Sequence, residues 1–347
     1  MTDPVPVAVP RKGRPLEAVL ERIAAVANGD RPDRLADVVS NTLRYEKAVT
    51  KGSVEADGGP YERLAEYSDP TTPTEPEFTL MRDDRNGKPR RVVFDAATVD
   101  LGDVTVKLVG REEPFRALRT HEFALGFDSA DLVLEEVVGI RGEGLGDISD
   151  INDRIDPVDT DVRVVTGLGD TVYHTLMGRE DRGAPGTTLD RAYLADYEGP
   201  LCISPRYERL VTAVLGTEAL NGVEFVYPGA DEEEEAAIAR VGLGVYLTVT
   251  GSTAREHGLS VGEHLFPSET VLMRNAAETD DSVSRVLRAF ERETADSAAL
   301  RIRTVSLGKR CSPTERPCSR AVEPVTVRYT PRPTRAIAAS SSSSASG

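Results

Sequence analysis

Residues Gly242–Leu259 read GLGVYLTVTGSTAREHGL, and the fold turns on this stretch. Val245, Leu247 and Val249 alternate with smaller or polar residues, the period-two pattern of a strand. Thr250-Gly251-Ser252-Thr253 then forms a small-polar turn, and a helix begins. Consecutive N–H groups at the mouth of a helix, flanked by hydroxyls and free of side-chain bulk at Gly251, make a cradle for an anion, with phosphate or pyrophosphate the natural occupant. The same letters also fit an ordinary strand-to-helix turn capped by Ser252 or Thr253.

The pattern recurs at the other end of the chain. Val5–Val9 is a short strand, Arg11-Lys12-Gly13-Arg14-Pro15 a basic turn, and Leu16–Ala25 a helix with Leu16, Val19, Leu20, Ile23 and Ala24 on one face. This is either a second anion-binding junction or a solvated basic turn. Ala124–Asp131 (ALGFDSAD) ends an apolar run in small and acidic residues, as strands do where ligands meet open α/β sheets. Asp128 and Asp131 are equally readable there as helix caps. In GPLCISPRYERL, Ser204 is placed to cap a helix with Pro205 at its first position. The acidic run Asp231–Glu235 reads as a solvated face ahead of Ala236–Ala239.

Together these segments resemble the ATP phosphoribosyltransferases, the first enzymes of histidine biosynthesis. In that family a strand ending in an acidic residue runs into Thr-Gly-x-Thr-Leu and on to Asn-Gly-Leu. Thr250-Gly251-Ser252-Thr253 and Gly258-Leu259 match, while Ala254, His257 and Tyr246 replace the Leu, Asn and Asp. VAVPRKGRPLEAVLERI resembles the opening strand and Lys-Gly-Arg-Leu turn, with Pro15 for the Leu. EEPFRALRTHEFALGFDSADLVLEE resembles the segment ending in Asp-x-Gly-Ile-x-Gly-x-Asp, with Ala124 at the first Asp. Leu201–Tyr207 resembles a strand-to-helix junction written Ile-Ala-Thr-x-Tyr-Pro, with the order of Tyr and Pro altered.

The resemblance implies an α/β fold of two domains, like the type II periplasmic binding proteins, with a substrate cleft between them. Domain one is expected over residues 1–150 plus 263–308, with a divergent insertion at about 28–89. Domain two covers 151–262, and 309–347 is a Pro/Arg/Ser-rich disordered tail. The implied reaction moves the phosphoribosyl group of phosphoribosyl pyrophosphate (PRPP) to N1 of ATP or a related purine nucleotide, with Mg²⁺ as cofactor. By this likeness Thr250, Gly251, Ser252 and Thr253 hold PRPP. Arg11, Lys12, Gly13, Arg14, Asp128 and Glu233 are the candidates for phosphate or nucleotide contacts. A homo-oligomer, or a complex with a regulatory subunit, is the expected assembly. The chemistry calls for alignment and charge neutralisation rather than a general base. His121, His174 and His264 are accordingly read as structural, and His257 borders the loop.

Composition agrees with this class. A chain of 347 residues is long enough for two cores, and its net charge of −16 argues against a nucleic-acid or anionic-membrane partner. Positive charge is nearly all Arg, the lysines being Lys12, Lys47, Lys51, Lys88, Lys107 and Lys309. Cys202, Cys311 and Cys318 lack zinc spacing and read as free thiols. Without a signal h-region or an apolar run of membrane length, a soluble cytoplasmic protein is expected.

The remaining stretches fill in the frame. Leu35–Val49 reads as helix, Asp69–Glu77 as loop and Asn86-Gly87 as a hairpin tip. Val92–Phe94, Val104–Val109 and Asp161–Thr166 are strands, and Glu113–Leu118 is a short helix, followed by the runs His121–Phe127 and Leu132–Val138. Gly142–Asp161, with RGEGLGD, is a loop placed as the hinge into domain two, and Gly178–Gly186 is an exposed loop. Glu263–Leu265 and Val271–Asn275 are a closing pair of strands around Ser268, then come a helix Ser282–Thr294 and a last strand Leu300–Val305. Tyr246 and the glycines Gly242 and Gly244 remove carboxylates that the family carries. Three readings therefore stay open: an ATP phosphoribosyltransferase of histidine or nucleoside-antibiotic type metabolism, a phosphoribosyltransferase with another acceptor, and a non-catalytic nucleotide sensor.

Overall fold

The computed structural model describes residues 3–27, 30–68, 71–72, 75–82, 90–179, 188–230 and 232–290. The expected hairpin tip at Asn86-Gly87, most of the Gly178–Gly186 loop, the strand Leu300–Val305, the tail, Cys311 and Cys318 lie outside them.

Two β-sheets carry the architecture. The chain opens with β1 (Val5–Pro10), α1 (Gly13–Val26), α2 (Asp30–Thr50) and α3 (Pro60–Tyr67). There follow β2 (Glu77–Arg82), β3 (Arg90–Asp100), β4 (Thr105–Arg111), α4 (Pro114–Arg119), β5 (Leu125–Ser129), α5 (Ala130–Glu136) and β6 (Val162–Gly167). The second stretch has β7 (Val172–Arg179), α6 (Arg191–Ala195), β8 (Gly199–Cys202), α7 (Glu208–Leu215) and β9 (Val223–Val226). It continues through α8 (Glu234–Val241), β10 (Leu243–Thr248), α9 (Ser252–Glu256), β11 (Leu259–Ser268) and β12 (Thr270–Asn275), and residues 281–290 are helical.

The first sheet has the order β2-β3-β4-β1-β5-β12-β6, and the second β11-β7-β10-β8-β9. β1 is central because its Val7, Ala8 and Val9 are all buried, the near-continuous apolar run of a strand covered on both faces. It pairs in parallel with β4 and β5, with Val7 opposite both Leu108 and Leu125. α1 lays Leu16, Val19, Leu20 and Ile23 on this sheet. At about 1.5–3 kcal/mol for each large apolar side chain, that stripe is what docks the helix. Gly126 sits on β5 because a Cβ there would fall 2.6 Å from Leu118 Cδ1 and 3.1 Å from the Ala8 carbonyl oxygen.

The crossings between the sheets differ from expectation. The chain leaves the first sheet after β6 and returns at residue 269, so the transitions sit at residues 168–171 and 269 rather than near 150 and 262. β6 belongs to the first sheet because it pairs with β12 from Val162↔Asn275 to Gly167↔Val271. The glycines of RGEGLGD are no hinge: a Cβ on Gly144 would lie 2.1 Å from the Val214 carbonyl oxygen, so this loop is packed against α7. β11 and β12 are consecutive but not a pair, since β11 joins β7 and β12 joins β5 and β6. The run Leu132–Val138 is mostly helix, burying Val133 and Leu134 on one face of α5.

A polar lock ties the two crossings together. Asp170 Oδ1 accepts from the Thr270 N–H (2.8 Å) and its Oδ2 from the Thr270 hydroxyl (2.9 Å). Glu269 Oε2 accepts from the Thr171 hydroxyl at 2.8 Å. Among the described residues no helix is long and apolar enough to cross a membrane.

Candidate functional site

The expected loop forms as a tight junction at the end of β10. Strand alternation stops at Thr248, and Val249 is 69% exposed. Gly251 adopts φ 67°, and the N–H of this residue donates to Thr248 Oγ1 at 2.7 Å. Only glycine serves here, because a Cβ would sit 2.5 Å from Val261 Cγ2 in a backbone region that side chains disfavour. Gly251 is itself the N-cap of α9, with no side-chain cap. The expected cap by Ser252 or Thr253 therefore does not form: both lie inside the helix, and Ser252 Oγ lies 3.2 Å from the Thr250 hydroxyl. The first N–H groups of a helix have no intrahelical partner, so this mouth is left with donors to offer. Arg255 Nη2 closes the turn from the other side by donating to the Thr250 carbonyl at 2.7 Å.

Glu233 stands beside this loop as the N-cap residue of α8, its side chain exposed, with Oε2 3.6 Å from His257 Nε2. Tyr246, at the place of the family's acid, is half-buried and lies near Glu234 and Glu235. Burial and the nearby Glu234 and Glu235 carboxylates raise its phenol above the ordinary range. A carboxylate thus approaches the position from α8 rather than from the strand, which the acidic run Asp231–Glu235 did not reveal by spacing.

The basic turn lies at the carboxyl end of β1. Gly13 takes φ 78° and opens α1, whose first turn has neither an acidic residue nor a side-chain cap. Arg11 is built into the sheet edge: its Nε donates to the Gly110 carbonyl (3.0 Å), and its own carbonyl accepts from the Phe94 N–H (3.0 Å). Lys12 Nζ lies 3.3 Å from Glu112 Oε2. Arg14 donates to Asp170 Oδ2 at 2.8 Å and to the Asp170 carbonyl, so it joins the turn to the crossing lock. Asp170 carried no recognisable signal in the sequence.

Asp128 is the penultimate residue of β5, the strand beside β1, and is 5% exposed. Its Oδ2 accepts from the Phe115 N–H (3.0 Å) and its Oδ1 from the Ser129 N–H (2.8 Å). The carboxylate thus serves an N–H in the first turn of α4, whereas the following helix α5 is capped by Ser129, whose Oγ accepts from the Asp131 N–H at 3.3 Å, and not by Asp128 or Asp131. Burial pushes the Asp128 pKa up to about 7. Next to it Asp131 reaches His174 of β7 (3.1 Å, both buried), and His174 meets Tyr207 edge-on at 5.0 Å. Arg206 pairs with Glu135 of α5 at 3.1 Å. Ser204 precedes Pro205 as expected but makes no side-chain cap bond. The structure therefore gathers Arg11–Arg14 and Asp128 at one end of the first sheet, and Thr250–Thr253 with Glu233 in the second.

Mg²⁺ is commonly held by one or two carboxylates together with substrate phosphates, so it needs no all-protein cage. Among the described residues no group of three or more His, Cys, Asp or Glu could hold a metal ion. Glu232 is held by Arg240 at 2.8 and 2.9 Å.

A family model described as halobacterial ATP phosphoribosyltransferase matches residues 1–301. A search of the curated proteins gives no match. Among solved structures, the ATP phosphoribosyl transferase (HisG:HisZ) complex from Thermotoga maritima aligns at 14% identity, covering 83% of this chain and 98% of that one, with a TM-score of 0.39. A mutant of the binding protein ArgBP from T. maritima aligns at 13% identity over 58% of this chain and 76% of that one, with a TM-score of 0.31.

Proposed function

The chain belongs to the halobacterial ATP phosphoribosyltransferase family, and on that premise we propose that it transfers the phosphoribosyl group of PRPP to N1 of ATP. The bond from the anomeric carbon to pyrophosphate breaks as the bond to N1 forms. What carries the reading is the Thr250–Thr253 junction, where a left-handed Gly251 leaves the uncapped mouth of α9 open to an anion. Its N–H groups and the hydroxyls of Thr250, Ser252 and Thr253 hold the phosphoribosyl phosphate in this proposal. Lys12 and Arg14 face phosphate charge at the end of β1, and Glu233 or Glu234 faces the ribose hydroxyls. Mg²⁺ enters as a companion of the substrate phosphates, which is how the ion is commonly held.

A second reading, transfer to another purine nucleotide, is favoured by Tyr246 at the position of the family's acid. Histidine biosynthesis follows from the first reading, and a specialised pathway from the second. The assembly, a homo-oligomer or a complex with a regulatory subunit, belongs to the same proposal and is read by mass measurement of the purified chain. The deciding experiment measures pyrophosphate release with PRPP and Mg²⁺ while ATP, ADP, AMP and other purines are offered in turn. Release that depends on ATP supports the first reading, and a better acceptor supports the second. No release with any acceptor, from folded protein that still binds nucleotide, refutes both in favour of a sensor.

A further inference from the structure

Helix α2 lies in the stretch read from the sequence as a divergent insertion, and it walls a cavity of about 500 Å³ shared with the start of α1 and with β3. Such a volume suits a nucleotide-sized ligand, for which pockets of roughly 300–1,000 Å³ are usual. Six cationic side chains line it: Lys12, Arg14, Arg44, Lys47, Lys51 and Arg91. In a chain with six lysines and a net charge of −16, three of those lysines are gathered here.

The opposing carboxylates are already compensated. Glu46 is buried and clamped from behind by Arg63 at 2.7 and 3.0 Å, with the Tyr67 hydroxyl at 2.9 Å. Glu17 is paired with Arg44 at 3.2 Å. Lys47 and Lys51 are exposed and have no ion pair among the described residues. Arg44 and Lys47 lie three residues apart on one face of α2, and Lys51, the first residue past its end, continues the row, its N–H donating to the Lys47 carbonyl at 3.0 Å. All three residues line the same concavity. Its floor, Arg91–Val93, lies at the same sheet end as the turn Lys12–Arg14, because the Phe94 N–H bonds the Arg11 carbonyl.

We propose that this cavity binds the phosphate chain of a purine nucleoside triphosphate, with α2 as its cationic wall. The polyphosphate chemistry is drawn from the cavity alone, and the purine nucleotide rests on the transfer reaction proposed above. A chain of three phosphates spaces its charge along a line, matching the row on α2, whereas a monophosphate meets only one or two of its cations.

The test titrates the full chain calorimetrically with inorganic tripolyphosphate, ATP and AMP, at one ionic strength that keeps the protein folded. The variant carries Lys47→Gln and Lys51→Gln, both on exposed positions, and its melting curve serves as the folding control. ATP and tripolyphosphate are expected to bind the variant at least about tenfold more weakly, equivalent to about 1.4 kcal/mol. AMP is expected to bind the wild type more weakly than ATP and to be indifferent to the change. Lys47→Arg with Lys51→Arg restores the affinity. Equal tripolyphosphate binding by wild type and variant, no tripolyphosphate binding by the wild type, or AMP binding as tightly as ATP overturns the proposal. Charge-dependent ATP binding without any pyrophosphate release overturns the transferase and leaves the polyphosphate site standing. Release with no loss of polyphosphate affinity in the variant does the reverse.

Discussion

Replacing Asp128 with asparagine tests the polar end of β5 quantitatively. Desolvation raises the Asp128 carboxyl to about 7, outweighing the N–H groups of Phe115 and Ser129 and the more distant Arg206, which favour ionisation. In the unfolded chain the group titrates near its ordinary value of about 3.9. A folded pKa above the unfolded one means that the folded state binds more protons, so the contribution is fully present below about pH 4 and is lost as pH rises through about 7. The three-unit gap is on the order of 4 kcal/mol in total, and about 3 kcal/mol of it falls between about pH 5 and about pH 8. Asp128→Asn cannot ionise, and with a single carbonyl oxygen it keeps one of the two N–H bonds, a pH-independent cost of roughly 1–2 kcal/mol. Urea unfolding of both proteins across that range is expected to show the difference shifting by about 3 kcal/mol in favour of the asparagine variant as pH rises. Parallel profiles would refute the reasoning, because they would mean that Asp128 is ionised at neutral pH in the folded chain.

Gly251→Val places a branched side chain in the left-handed region and against Val261. It is expected to cost about 1–2 kcal/mol for the backbone and about 1–3 for overpacking, and to abolish PRPP binding. Thr253→Ala is expected to lose PRPP affinity at unchanged melting temperature; calorimetry on both variants, with binding intact in each, would remove the loop from the site. Arg63→Met strands the buried Glu46 carboxylate and is expected to destabilise by about 3–5 kcal/mol in urea, largely recovered when Glu46→Met is added. Burial pushes the Cys202 thiol up to about 11, so it is expected to resist a thiol-specific reagent at neutral pH until the chain is unfolded. Rapid labelling of Cys202 in the folded protein, read by peptide mass, would contradict its burial.

Local signals in the sequence located the strands and the two glycine turns at Gly13 and Gly251, because alternation and glycine placement are properties of a few consecutive residues. β1, α1 and β4 stand where Val5–Val9, Leu16–Ala25 and Val104–Val109 put them, while the strand read from Val245, Leu247 and Val249 ends at Thr248 and leaves Val249 exposed. Pairing was less legible. Asp161–Thr166 looked like any apolar strand, and nothing within it says that its partner is β12, more than a hundred residues later. The same blindness hid the crossing lock, since Asp170 matters only through Arg14 and Thr270. Side-chain contacts such as Asp131 with His174 are equally invisible, because each residue alone has several ordinary explanations.

The basic turn shows why a motif locates a place without fixing its charge. Arg11, Lys12 and Arg14 look like free cations in sequence, but each has an acidic neighbour, at 3.5 Å (Asp95), 3.3 Å (Glu112) and 2.8 Å (Asp170) respectively. An arriving phosphate must compete with those carboxylates, and the competition is hardest at Arg14, whose partner Asp170 is only 15% exposed at its side chain and also accepts from Thr270. Exposed pairs are worth about 0–1 kcal/mol each, so Lys12 can exchange Glu112 for a ligand at little cost. For Arg14 the same exchange also loosens the lock between the sheets, so its contact with phosphate carries the larger cost. Of the cations lining the cavity at this end of the first sheet, Lys47 on α2 and Lys51 just past its end reach a ligand without first breaking an ion pair among the described residues.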